Sequence, residues 1–374
     1  MFRLDADPAL LLETEEQRQL RAVLRDLLAE TCGPEEVREQ AGSPRGHDRT
    51  LWDRLAAEIG VHGLDLPEEY GGAGYTFAEL AVALEETGRA LCPAPLLPTV
   101  VLAGRTLLGS GDRGACERWL PGIASGALTA TVAGFAHRAE VTAERGPDGW
   151  VLRGEADFVP DGAGAGLLLV AARAPDGERL FACAPDDATC DRADRRVLDP
   201  TRRQALVRFR GAAAEPVGEA GQAPVVVAAV LDAGRAALAA EHVGGSAHAL
   251  DATLEYVSHR TQFGRPIGSF QAVKHRLADL LVELEGARSA SAYASVCLAA
   301  ETPDLPVAAS AAAVACTAAY RLATAEYVQL HGGIGFTWEH PAHLYLRRAR
   351  ADEALFGTGD DHRLRLARLL GLSG

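Results

Sequence analysis

A helical spacing lines up Val227, Leu231, Gly234, Leu238, Glu241 and Gly245 as an apolar stripe interrupted by a single carboxylate. A carboxylate on such a face is buried or lines a cavity. Burial raises its pKa towards a range useful to a general base unless a cation draws it back down. Glu241 is therefore the candidate base of the chain, and the alternative is a structural ion pair with Arg235 or an arginine elsewhere. Asp352 and Glu353 are weaker candidates, because they continue a charged segment expected to be solvated. The other reactive residue types form no constellation. The seven cysteines include no C-x-x-C pair, and the eleven histidines show no metal-ligand spacing. His242 and His331 read as helix-packing side chains. There is no G-x-S-x-G elbow, and the serine of GGSAH falls inside a helix, so Ser-His-Asp hydrolysis has no support.

Three segments must position these residues. From Thr14 to about Leu120 apolar residues recur at helical spacing, as in LWDRLAAEIG and TFAELAVALEETGRAL, with turn clusters such as LPEEYGGAG between them. Between about Pro121 and Pro224 the texture changes to short β-branched or alternating runs: LTATVAGF, GWVLRGEADFV, GLLLVAAR, RLFACAP and ALVRFRG. Helical spacing returns in long Ala-rich stretches at 225–258, 269–300 and 304–331. The expected organisation is an α+β chain with a helical domain over 1–120, a small β-barrel or sandwich over 121–224 and a C-terminal four-helix bundle over 225–374.

Composition bounds the setting. A chain of 374 residues with 48% hydrophobic content can bury a substantial core without disulfides, and a reducing cytoplasm is the expected location. A net charge of -14 opposes general affinity for nucleic acid or anionic membrane, so any phosphate site has to be built locally. The N-terminus lacks the basic and apolar regions of an export signal. No apolar run is expected to approach the ~20 residues of a membrane span.

HRTQFGRPIGSFQAVKHRLADL, residues 259–280, resembles the acyl-CoA dehydrogenase family, whose members carry Arg-x-x-Phe-Gly-x-x-(Ile/Leu)-x-x-(Phe/His)-Gln at this point. The resemblance extends to LWDRLAAEIGVHGLDLPEEYGGAG near the N-terminus and VQLHGGIGFTWEHPAHLYLRRAR near the C-terminus, and so covers essentially the whole chain. It implies an FAD enzyme that oxidises an acyl thioester to the 2,3-enoyl thioester, with neighbouring subunits sharing each flavin. Arg260, Phe263, Gln329, Gly332 and Gly333 match the family residues that hold the ADP half of an FAD lying mainly in the neighbouring subunit. An arginine supplies a charge-assisted fork for a pyrophosphate, and paired glycines admit the backbone close to it. The bland alternative is that Arg260 caps a helix and that the glycines form a tight turn.

The pattern breaks in two places. The family holds the flavin ring with a Thr-Glu-Pro-x-x-Gly-Ser-Asp loop and a later Trp-(Ile/Val)-(Thr/Ser) strand. Here the first region reads TATVAGFAHRAEV (129–141), and the second reads DFVPDG, with Phe158 and Pro160 in place of the aromatic and the hydroxyl. Counting back from Gly357 and Thr358, which match the family's Gly-Thr and set Thr358 at the cofactor, the usual glutamate position holds Phe356 in ALFGTG. The other position used by the family, immediately before an arginine matched by Arg235, holds Gly234. Arg235 itself is expected beside the substrate. Glu241, seven residues after Gly234, returns to nearly the same helical face about 10 Å along the axis.

These features imply a subunit for FAD-dependent α,β-desaturation of an acyl-CoA or acyl-carrier-protein thioester, passing electrons to an electron-transfer flavoprotein or similar acceptor. Retained clamp motifs beside a degraded ring site and base position resemble the family's heteromeric assemblies, in which one subunit completes its partner's flavin site. The expected partner is a second acyl-CoA dehydrogenase-like subunit in a heterotetramer. A homo-oligomer using Glu241, and a non-redox relative that only binds an acyl thioester, are the alternatives.

Overall fold

The computed structural model describes residues 11–135, 139–147 and 149–372. Helices come first. α1 (Glu15–Thr31) opens on a capping box in which Thr14 Oγ1 accepts from the Gln17 amide and Gln17 Oε1 accepts from the Thr14 amide. It is followed by α2 (Pro34–Gly42), α3 (Arg49–Arg54), α4 (Phe77–Arg89), α5 (Gly104–Gly109) and α6 (Arg113–Ala124). Strands follow: β1 (Ala130–Ala133), β2 (Ala139–Gly146), β3 (Gly149–Pro160), β4 (Leu167–Ala174), β5 (Gly177–Cys183), β6 (Cys190–Asp194) and β7 (Gln204–Val217). Helices return in α7 (Ala223–His259), α8 (Gln271–Ala299), α9 (Leu305–His331), α10 (Ala342–Asp352) and α11 (Gly359–Leu369). A two-stranded ribbon, β8 (Thr261–Gln262) and β9 (Arg265–Pro266), lies between α7 and α8. The helix, strand, helix order is the one the sequence periodicity predicts.

By internal contacts the chain divides into two units. The helical unit comprises the residues up to Glu39, Phe77–Cys92 and Arg235–Gly374; the β-containing unit comprises Gln40–Thr76 and Pro93–Gly234. In the β-containing unit the sheet closes on itself. Antiparallel pairs β2–β3, β3–β7, β7–β5 and β5–β4 are completed by a parallel contact of β2 with β4 at Thr142 and Arg173, so the ring is a barrel. Trp150 and Phe181 pack inside it at 5.4 Å, with Leu152, Phe209 and Leu168 around them. Strands β2 and β6 are the ones with no apolar run. β2 turns Val141 and Ala143 into the core with the half-buried Ala139 beside them, while Glu140, Thr142 and Glu144 face outward.

In the helical unit α9 packs against α8, α10 and α11. The crossing of α4 and α7 is close because it is built on glycine: a Cβ on Gly88 would overlap the Glu241 backbone, and one on Gly244 would overlap that of Glu85. Ala223–His259 and Leu305–Phe336 are long and apolar enough by length and composition to cross a membrane, which corrects the expectation that no apolar run reaches that size. Their most apolar windows are 61% and 44% buried within the fold, which accounts for the hydropathy.

Candidate flavin clamp and base position

Phe356 lies between α10 and α11, and its ring is buried at 5% exposure. The guanidinium of Arg235, the first residue of α7 that belongs to the helical unit, donates through Nε and Nη2 to the Phe356 carbonyl at 3.3 and 3.2 Å. Both residues line a cavity of about 10 Å³, the space of a single water. His242 is fixed at its wall from both sides, with Nε2 at 3.3 Å from Asp352 Oδ2 and Nδ1 at 3.4 Å from Thr317 Oγ1. His362 completes the wall; burial first, then Arg235 and Arg365, hold its imidazole below the ordinary value, so it is neutral there at pH 7. Asp352 is not solvated as expected but 3% exposed, because it turns inward to His242. This cavity has no room for an acyl thioester.

Glu241 does not line it. Its side chain faces α10, where Arg348 Nη1 stands 3.9 Å from Oε2, and both side chains are at least nine-tenths buried. The geometry is that of the structural ion pair. The stripe that singled out Glu241 diverges in space: Leu238 lines the small cavity, a Cβ on Gly245 would overlap the Tyr320 ring, and Glu241 meets Arg348. Nor is it the sole buried carboxylate of α7, since Asp232 is 4% exposed.

The clamp residues gather at one end of the helical unit. Tyr256 on the last turns of α7 stacks on His331 at the end of α9, with ring centroids 4.1 Å apart, and its hydroxyl donates to the His331 carbonyl at 3.5 Å. Arg260 follows one turn after Tyr256, and Gly332 and Gly333 follow His331 directly. Arg260 and Gln329 are exposed, and no side-chain partner for Arg260 occurs among the described residues. Phe263 and Gly264 form the two-residue turn of the ribbon with φ of 53° and 77°, the pairing that normally recruits asparagine and glycine. A phenylalanine held in that conformation is strained by about 1 kcal/mol or more. Its ring is 90% exposed and meets only the edge of Phe270, with centroids 6.1 Å apart, among the described residues, a contact too slight to offset the strain in full. Gly332 has φ 63° and ψ -140°, which only glycine adopts freely. Gly333 has no left-handed φ, and a Cβ there would meet nothing within 4 Å, so neither backbone nor packing in this chain demands glycine. An open cradle of this kind fits a ligand brought close to the backbone. The residues present therefore fit the ADP portion of FAD.

Thr358 is otherwise engaged. It is the N-cap of α11, donating to Asp361 Oδ2 at 2.6 Å and accepting from the Asp361 amide at 3.2 Å. On the barrel, Phe158 sits at a bulge with φ 53°, its amide bonded to Asp157 Oδ1 at 2.8 Å, and the Pro160 carbonyl accepts from Thr131 Oγ1 at 2.6 Å. The edge thus offers no free amide at either position that the resemblance sets at a flavin ring. Residues 136–138 of the preceding loop lie outside the described residues. His362 and Thr317, which line the small cavity, went unnoticed in the sequence. The signal for His362 was its i+4 spacing from Thr358, whose carbonyl its amide bonds at 3.0 Å.

Residues 14–127 match the acyl-CoA dehydrogenase N-terminal domain, and residues 224–371 match the acyl-CoA dehydrogenase C-terminal domain. The acyl-CoA dehydrogenase IpdE2 of Mycobacterium tuberculosis is 38% identical over 91% of this chain and 93% of its own. Among solved structures, the ChsE4-ChsE5 complex from Mycobacterium tuberculosis superposes with a TM-score of 0.88 at 29% identity, covering 97% of this chain and 99% of the matched one. A variant of the Tcur3481-Tcur3483 steroid ACAD gives 0.85 at 32% identity, covering 96% and 98%. The chain belongs to the acyl-CoA dehydrogenase family, FAD-dependent oxidoreductases acting on CH-CH bonds.

Proposed function

We propose that this chain is one subunit of a heteromeric acyl-CoA dehydrogenase that desaturates an acyl thioester between Cα and Cβ, and that it completes a flavin site whose catalytic carboxylate belongs to the partner. The observation that carries this reading is the contrast within the helical unit. The clamp is open and strained outward at Phe263, while the base position is filled by Phe356 and closed by Arg235. FAD, when bound, supplies the two-electron oxidising capacity. This chain's part is to hold it: Arg260 offers a fork to the pyrophosphate, Gln329 offers an amide, and Gly332 and Gly333 admit the backbone. Proton removal at Cα needs a base in reach of the substrate, and Phe356 cannot accept a proton. Glu241, paired with Arg348, gains no support as a substitute. The likeness to the ChsE4-ChsE5 complex supports a two-component assembly. The likeness to a steroid ACAD makes a steroid-derived acyl thioester the first substrate class to test, and the acceptor proposed beside it is an electron-transfer flavoprotein-type protein.

Co-expression with a candidate partner subunit tests the reading directly. The pair is expected to be yellow and to oxidise acyl thioesters, and Arg260→Ala in this chain is expected to release FAD from it, since an ionic hydrogen bond to phosphate contributes about 1.5–3 kcal/mol. Full flavin content in that variant, or turnover by this chain alone, would overturn the proposal.

A further inference from the structure

Within the helical unit, α1, α2, the end of α4, α7 and α10 enclose a cavity of about 260 Å³ that shares no lining residue with the clamp or with the Phe356 cavity. An apolar cavity of ~150 Å³ admits benzene, so this one has room for a molecule of roughly ten to fifteen non-hydrogen atoms. Its walls are apolar, formed by Leu28, Leu344 and Leu91 among others.

Leu91 has φ 52° and is 2% exposed. It occupies the position after α4 at which the chain reverses, with the Cys92 amide donating to the Thr87 carbonyl at 2.9 Å, a place usually given to glycine. A leucine kept there against its backbone preference is kept for its side chain, and that side chain forms cavity wall.

The polar lining presents donors. His248 lies flat on Tyr345, with ring centroids 4.5 Å apart and planes 6° from parallel, and its Nε2 is buried with no hydrogen-bond partner. Burial, helped by Arg89, pushes the imidazole down to about 4, so it is neutral at pH 7 and one ring nitrogen carries a hydrogen. Arg89 engages Asp251 through Nη2 at 2.7 Å, leaving Nε and Nη1 without a partner among the described residues. The one carboxylate in the lining, Glu86, is saturated by Arg21 and Arg25 at 2.7–3.0 Å. The Arg89 donors left over from Asp251 and the unpartnered His248 Nε2, beside apolar walls and with the lining's one carboxylate already paired, suit an anion with a hydrocarbon body.

We propose that this cavity binds a small apolar carboxylate, an aliphatic or aryl acid, whose carboxylate is taken by Arg89 and by Nε2-H of His248 and whose hydrocarbon body packs on Leu28, Leu91 and Leu344. The site is independent of the flavin and of the desaturation chemistry. Titration calorimetry on the full chain with octanoate and 4-phenylbutyrate is expected to show saturable binding with Kd on the order of 0.1–1 mM. Octan-1-ol should bind at least about tenfold more weakly, because it lacks the charge. Arg89→Gln and His248→Phe, the latter keeping the ring stack on Tyr345, are each expected to weaken octanoate binding about tenfold. Ala29→Trp, at an exposed wall position where folding is safe, should abolish it, and Arg260→Ala should leave it unchanged. Absence of saturation up to ~10 mM acid, equal binding of the alcohol, or wild-type affinity in Ala29→Trp would overturn the proposal.

Discussion

The guanidinium of Arg235 closes on the backbone carbonyl of Phe356 at 3.2 Å, so the cation expected beside the substrate caps the residue that replaces the base. That bond is to the main chain; the Phe356 ring itself is buried beside a cavity of about 10 Å³ and serves as packing. Phe356→Leu is therefore expected to lower stability by about 1 kcal/mol through partial loss of a buried ring and to leave kcat of the assembled enzyme within about twofold. Chemical denaturation together with steady-state kinetics on the same preparation checks both halves. A rate loss without a stability loss would assign Phe356 to the reacting site.

Phe263 offers the opposite trade. Its left-handed backbone in a two-residue turn would suit asparagine better, so Phe263→Asn should raise the stability of the chain by about 0.5–1 kcal/mol. If the exposed ring is there to meet the cofactor across a subunit boundary, the same change lowers flavin retention. Stability and bound FAD moving in opposite directions is the expected signature, read by melting temperature and by flavin absorbance after gel filtration. Retention of FAD at the wild-type level would mean that the strain serves some other contact.

Glu241 separates two accounts of one carboxylate. Its buried partner Arg348 stands at 3.9 Å, and removing the charge leaves a guanidinium buried without it. Glu241→Gln should therefore destabilise the fold by about 3 kcal/mol while turnover per bound flavin stays unchanged. Glu241→Gln combined with Arg348→Met should recover part of that loss. A rate loss on the order of 10²-fold at full stability would instead make Glu241 the base.

How far the sequence spoke depends on the range of the interaction involved. Helical and strand texture is local, and it placed α7, α8 and α9 to within two residues at each end. The Thr358 cap is also local, written as a threonine three residues before an aspartate, and it engages the same hydroxyl that the family motif sets at the cofactor. Strand β2 is illegible because its inward residues are one valine and two alanines, Val141, Ala139 and Ala143. The partner of Glu241 lies on a helix more than a hundred residues later, and no periodicity on α7 can report it. The helical stripe failed for a related reason: α7 is buried on every side from Ala236 to Ala247, so a one-faced pattern does not describe it. The clamp was legible from matched motifs, and the geometry adds what motifs lack, namely that Gly333 has no reason within this chain to be glycine.

Acid sensitivity follows from a histidine remote from the clamp in sequence. His62, in the β-containing unit, is fully buried edge-on against Trp52 at 4.0 Å, and neither ring nitrogen has a hydrogen-bond partner. Burial pushes its pKa down from 6.5 to about 3; Arg49 adds to the shift and Asp53 opposes it. The unfolded chain therefore binds a proton below about pH 6.5 that the folded chain refuses until about pH 3, and stability falls as pH falls through that window. At pH 4 the penalty from this residue alone is on the order of 3 kcal/mol. His62→Phe fills the same space without a titrating group. It is expected to flatten the loss of stability between pH 6.5 and pH 4, with little change at pH 8, where the histidine is neutral in both states. Urea unfolding of both proteins across that range decides the matter: parallel pH profiles would show that His62 is protonated in the fold, and that water or a local opening reaches its ring.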